Sequence, residues 1–185
     1  MKSAIYLLCT FFAQFSLVLT QSYQNNWHTT MKEINNIEIR LYDDLILASY
    51  VDGVTTRSES FRNLASYIFG SNNENKNIGM TSPVIVDLVG NAKMYFIMPS
   101  DYQIDNIPLP TNKSIDLTYI PSCKKAVIQY SGFTSKKMET KKIIQLKLAL
   151  DNMNINYKND FQVLVYDSPY KLFNRKNEIC VTINK

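Results

Sequence analysis

The same order of elements is written twice along this chain, and that repeat restricts its fold more than any other feature. Residues 37–41 alternate apolar and charged, and an apolar run follows at 45–51 across the turn-prone pair Asp43-Asp44, as two paired strands would. Thr56-Arg57-Ser58-Glu59 has capping-box spacing, with a hydroxyl at the cap and a carboxylate three residues on, so a helix is expected to start there. At about 100° per residue, Phe61, Leu64, Ala65, Ile68 and Phe69 fall on one side, and Gly70 followed by Ser71-Asn72-Asn73 supplies a stop. Strands are expected next at 84–88 and 93–98 around Gly90-Asn91, with Pro99 closing the hairpin.

An irregular stretch over 101–114, carrying Pro108 and Pro110, separates this unit from its echo. Strand character returns at 115–120 and 126–130. A second helix is expected from Ser135 to about 153, with Ile143, Leu146, Ala149, Leu150 and Met153 on one arc, then strands near 161–166 and 178–183. Ser49-Tyr50-Val51-Asp52-Gly53 before the first helix matches Gln129-Tyr130-Ser131-Gly132 before the second, and Ser82-Pro83 is paired with Ser168-Pro169. Two such units, each with one helix over a sheet, bury both sheet faces only by closing together into one α+β domain.

With 185 residues and 45% apolar content, the chain suits one domain and a short leader. Residues 1–22 carry Lys2, a mostly apolar core and then Thr20-Gln21-Ser22, which reads as a cleaved secretory signal; a polar segment is expected over 23–35 and the domain proper over 36–185. Losing the leader removes Cys9 and leaves Cys123 and Cys180, candidates either for a disulfide in an oxidising compartment or for two free thiols. Asn112-Lys113-Ser114 is a candidate N-glycosylation acceptor at Asn112. A net charge of +4 is too small to call for nucleic acid, and the lysines at 136, 137, 141, 142 and 147 read as a solvated helix face.

Catalytic patterns are absent from the sequence. The single histidine, His28, lies in the polar segment after the leader and reads as a solvated tail residue. There is no Gly-rich phosphate loop, no nucleophile elbow and no His/Cys spacing for a metal, and adjacent Asp43 and Asp44 would point to opposite faces of a strand. A non-enzymatic binding module is the expectation.

Three segments carry a resemblance that says which kind: Ile37-Glu38-Ile39-Arg40-Leu41-Tyr42, then Asn77-Ile78-Gly79-Met80-Thr81-Ser82-Pro83-Val84, then Tyr166-Asp167-Ser168-Pro169-Tyr170-Lys171-Leu172-Phe173-Asn174-Arg175 and on to Glu178. In order and spacing, from Ile37 to the C-terminus, they resemble the SOUL/heme-binding protein family. The resemblance implies a distorted antiparallel β-barrel built from two pseudo-repeated β-α-β-β units with two amphipathic helices packed outside. It also implies an apolar cleft beside the first helix that takes heme or another tetrapyrrole without an obligatory axial histidine. Carried over by position, the cleft comprises Phe61, Ala65 and Met80 on one side and Lys171, Phe173 and Arg175 on the other, the two basic residues as partners for propionates. Ser58, Phe61, Ala65 and Ser66 stand where some relatives have Met or basic residues, and Leu41 where some have histidine. Tyr67, Tyr95, Tyr166 and Tyr170 are the remaining candidate axial ligands.

The sequence thus points to a secreted, monomeric protein that binds heme reversibly for scavenging or delivery. The alternatives are another hydrophobic small molecule or a protein partner in the same cleft, and an enzyme acting on a tetrapyrrole or small lipophile. Ile144 and Leu148, opposite the core arc of the second helix, are candidates for a protein or membrane-surface contact.

Overall fold

A computed structural model describes residues 27–50, 56–90 and 92–184. The proposed leader over 1–22 lies outside the described residues, as do Val51, Asp52 and Gly53 of the repeated motif.

The elements in chain order are β1 (His28–Ile34), β2 (Ile37–Tyr42), β3 (Leu45–Tyr50), α1 (Arg57–Ile68), β4 (Val84–Asp87), β5 (Met94–Ile97), β6 (Ile115–Ile120), β7 (Cys123–Ser131), α2 (Lys136–Asn152), β8 (Gln162–Val165) and β9 (Lys176–Thr182). Both helices are punctuated locally. The Thr56 hydroxyl accepts from the Glu59 amide, and the Ser135 side chain accepts from the Met138 amide. At the other end of α1, Gly70 adopts φ +111° while its amide donates to Tyr67 and the Ser71 amide to Ser66, which is a Schellman closure. α2 closes the same way, with Asn154 at φ 53° in the glycine's place and its amide and that of Ile155 bonded to Asp151 and Leu150.

All nine strands belong to one antiparallel sheet in the order β1-β2-β7-β9-β8-β4-β5-β3-β6. The order is a palindrome about the β8/β4 pair: β3, β5 and β4 of the first unit mirror β7, β9 and β8 of the second. The units also trade strands, since β2 pairs with β7 and β6 pairs with β3. This bears out the duplication but changes one of its marks. Ser82-Pro83 precedes β4, whereas Ser168-Pro169 follows β8. They are neighbours because β4 and β8 run antiparallel, and the Ser82 hydroxyl donates to the Tyr166 carbonyl at 3.0 Å.

The expected barrel is not closed. Only two residues join β2 to β3, yet these strands lie near opposite ends of the sheet order, so the sheet must curl until its ends approach. No ladder joins the two ends among the described residues. Side chains tie together the two connections that cross between the halves: Asp44 of the β2–β3 turn accepts from the Tyr119 hydroxyl and the Ser122 amide, and the Ser122 hydroxyl of the β6–β7 turn donates to the Tyr42 carbonyl.

One face of the curled sheet carries both helices, and Leu64, Tyr67 and Ile68 of α1 and Leu146 and Leu150 of α2 join the same core cluster with Ala48, Phe96, Ile128 and Ile179. The inner face packs Trp27, Leu47, Ile85, Val127 and Leu164. Within that face Arg40 and Glu178 form a buried bidentate pair at 2.8 and 2.9 Å.

The segment over 23–35 is not merely a polar tail. Residues 28–34 form β1, an edge strand on β2, and Trp27 is buried with its indole N–H donating to the Ser82 carbonyl at 3.0 Å. His28 is half-buried against the Tyr42 ring, and burial together with the nearby Arg40 charge holds its pKa below the usual value. An edge strand gains ladder hydrogen bonds on one side with little burial, so β1 carries almost no apolar alternation. Its irregular register between Thr30 and Lys32 and its exposed Lys32 and Glu33 fit an edge guarded against further pairing.

Candidate functional site

The helix-bearing face has a row running across six strands, set by the register: Ala48, Phe96, Val84, Val165, Asn177 and Tyr130. Phe61 of α1 stands edge-on to Phe96, with ring centroids 5.3 Å apart, and remains 39% exposed. Val84 and Val165 are only half-buried. Phe96 and Asn177 are three strand spacings apart, or ~14 Å. Along this row the strip left open to solvent is Val84 and Val165, with the partly exposed Phe61 of α1 beside Phe96 and the β8–β9 loop following Val165.

Of the six residues assigned to the cleft, Ala65 and Met80 are half-buried against the core, and Phe61 stands against Phe96 at its edge. The β8–β9 loop is different. Arg175 is no rim residue: it is 5% exposed, its guanidinium donates to the carbonyls of Ser168, Lys171 and Asp167, and it lies 4.6 Å from the Phe133 ring centroid. It latches the loop and is not available to a propionate. Lys171 is exposed but bonded to Asp167 at 2.6 Å, and Phe173 points to solvent. Burial raises the Asp167 pKa, but Lys171 and the Lys176 amide outweigh it, so the carboxyl is held below its ordinary value.

The candidate axial ligands are mostly committed elsewhere. The Tyr67 hydroxyl donates to the Pro108 carbonyl, Tyr95 to Asp87 and Tyr166 to Glu178, and burial drives the pKa of all three upward, away from phenolate. Tyr170 is exposed. His28 has Arg40, Glu178, Glu38 and Lys176 as charged neighbours and belongs with the inner-face network.

Cys123 and Cys180 are free. Their strands are adjacent, but Cys180 pairs with Val127, four residues along β7 from Cys123. That offset is ~13 Å, well beyond disulfide reach. Burial pushes the Cys180 thiol up to about 11. Asn112 is half-buried, with its amide donating to Asn63 of α1. Ile144 and Leu148 are exposed, on the outer line of α2 with Lys137 and Lys141.

Sequence reasoning missed a cleft of about 300 Å³ between α2 and the β4–β5 turn, lined by Leu88, Ala92, Lys136, Thr140 and Ile143. Here the helix N-termini meet: Arg57 grips Glu139 at 2.7 and 3.0 Å, and Thr134 adds a third bond at 2.8 Å. Burial raises the Glu139 pKa, but these partners outweigh it and keep the carboxylate charged. The signal was an acid at Glu139 on the core-facing side of an amphipathic helix. By the sheet's palindrome this cleft is the counterpart of the strip beside α1, with the β4–β5 turn in the place of the β8–β9 loop.

A family model described as SOUL heme-binding protein matches residues 22–182. The chain belongs to the SOUL family. Within it, this SOUL protein is 32% identical to heme-binding protein 1 of Xenopus laevis over 130 residues, 65% of this chain and 67% of that one. Heme-binding protein 1 of Sus scrofa is 26% identical over 129 residues, with 65% and 68% covered. Among solved structures, the EcmrR C-terminal domain superposes with a TM-score of 0.61 at 13% identity, over 83% of this chain and 99% of that one. A hydrolase from Listeria innocua gives 0.56 at 7%, over 83% and 94%. Likenesses at such low identity establish the fold alone.

Proposed function

We propose that this protein reversibly binds heme or another flat tetrapyrrole on the apolar strip beside α1, as a secreted scavenging or delivery protein without catalytic turnover. The observation that carries the reading is the half-buried Val84–Val165 pair near Phe61, in a chain whose relatives are named for heme binding. Apolar walls suit the macrocycle. With Tyr67, Tyr95 and Tyr166 committed, binding relies on burial and not on a strong axial bond, which favours release over electron transfer. Lys171 serves a propionate by exchanging Asp167 for it. The commitment of these three hydroxyls supports a second reading, in which another flat lipophile occupies the strip.

Hemin titration followed at the Soret band tests both. Saturable one-to-one binding is expected, weakened about tenfold by Phe61→Asp and roughly threefold by Lys171→Ala, which acts through a solvent-screened charge. Weak, non-saturating association would reject heme as the ligand.

A further inference from the structure

The tip of the β8–β9 loop is unusually apolar for an exposed loop. Tyr170, Leu172 and Phe173 are 89%, 68% and 80% exposed, and Phe133, which precedes the cap of α2, is 58% exposed. They are held as one surface. Arg175 binds three carbonyls of the loop and sits against the Phe133 ring, so the 167–171 turn and the β7–α2 corner are locked together. Asn177 adds a bond from its side chain to the Gly132 carbonyl at 2.7 Å. Four large apolar side chains thus project from a braced turn where solvent contact gives them no stabilisation.

The charge around this tip narrows the partner. Lys136 and Lys137 are exposed at the first turn of α2, whereas the nearby acids are occupied, Glu139 by Arg57 and Asp167 by Lys171. Exposed aromatic and aliphatic side chains, with two exposed lysines three and four residues beyond Phe133, match the boundary between headgroups and acyl chains of an anionic bilayer. We propose that the β8–β9 loop tip, with Phe133 beside it, docks this protein on anionic lipid membranes. The tip shares its loop with Lys171 of the tetrapyrrole reading but does not depend on that reading, and its test contains no tetrapyrrole.

Co-sedimentation with vesicles of phosphatidylcholine alone and of phosphatidylcholine mixed with phosphatidylserine is the experiment. Binding is expected with the anionic vesicles, weakening as salt is raised, and about tenfold lower in Leu172→Ser/Phe173→Ser, whose thermal unfolding should match the parent because both side chains are exposed. In Phe173→Trp, the anionic vesicles are expected to shift indole emission to the blue. Three results would overturn the proposal: no association with anionic vesicles, association that the double substitution leaves intact, or a dimer in sedimentation equilibrium that the double substitution dissolves, which would assign the tip to a second copy of the chain.

Discussion

Replacing Arg40 with methionine is expected to destabilise the fold by about 3–5 kcal/mol, the range for removing one partner of a buried ion pair. Arg40 lies on β2 and is almost fully buried. Its guanidinium reaches past β7 to both oxygens of Glu178 on β9 and donates a further bond to Glu38 at 2.9 Å. Without it Glu178 keeps, among the described residues, the Tyr166 hydroxyl at 2.7 Å and Lys176 at 3.1 Å as its side-chain partners, at a position with no solvent exposure. Thermal unfolding should register a fall of roughly 10 °C in Tm for a domain of this size.

The pH dependence gives the assignment a sign. Burial raises the Glu178 pKa, but the Arg40 bonds and charge outweigh it and hold the carboxyl below its ordinary value of 4.5. The pair therefore contributes its stability above that value and loses it as pH falls through the depressed folded pKa. In Arg40→Met burial is opposed only by the Tyr166 hydroxyl and Lys176, so the Glu178 pKa rises relative to the parent and the gap between parent and variant should narrow on acidification. A variant within 0.5 kcal/mol of the parent at neutral pH, on the order of a surface substitution, would contradict the buried pair.

Leu64→Ala and Leu150→Ala are each expected to cost about 3 kcal/mol by denaturant titration, through lost transfer energy and the cavity left behind. Both leucines are fully buried, one on each helix, in the cluster that joins α1 and α2 to the sheet. Leu148→Ala, on the outer line of α2, should stay within ~0.5 kcal/mol. Equal losses at Leu64 and Leu150 would reflect their matching places in the two units. A negligible loss at either would mean that its helix is not part of the core.

Sequence periodicity was most reliable where burial is one-sided. α1, α2 and the strands that face them were legible because Leu64, Ile68, Leu146 and Leu150 recur at helical spacing and the strands alternate. β1 was not, because an edge strand is defined by its hydrogen bonds to β2 and only Trp27, just before it, is deeply buried. Closure is a property of strand order, which local pattern does not encode. The traded pairs β2/β7 and β6/β3 join segments some ninety and seventy residues apart. Beside α1, Ala65 could be read as core-facing because it recurs at helical spacing with Leu64 and Ile68. Arg175 could not, since an arginine that folds back onto its own loop carbonyls has the same sequence appearance as one that waits for an anion. Glu139 was readable in principle as an acid out of place on the core side of a helix.

Two counterpart surfaces of this fold could take the ligand, the strip beside α1 and the cleft beside α2. Amide and methyl chemical shifts mapped during addition of diamagnetic zinc protoporphyrin test most directly the placement beside α1. Shifts concentrated at Phe61, Ala65, Met80, Val84 and Val165, spreading into the loop around Lys171, are the expected result. Shifts confined to Leu88, Ala92, Thr140 and Ile143 would contradict it and move the site to the cleft beside α2.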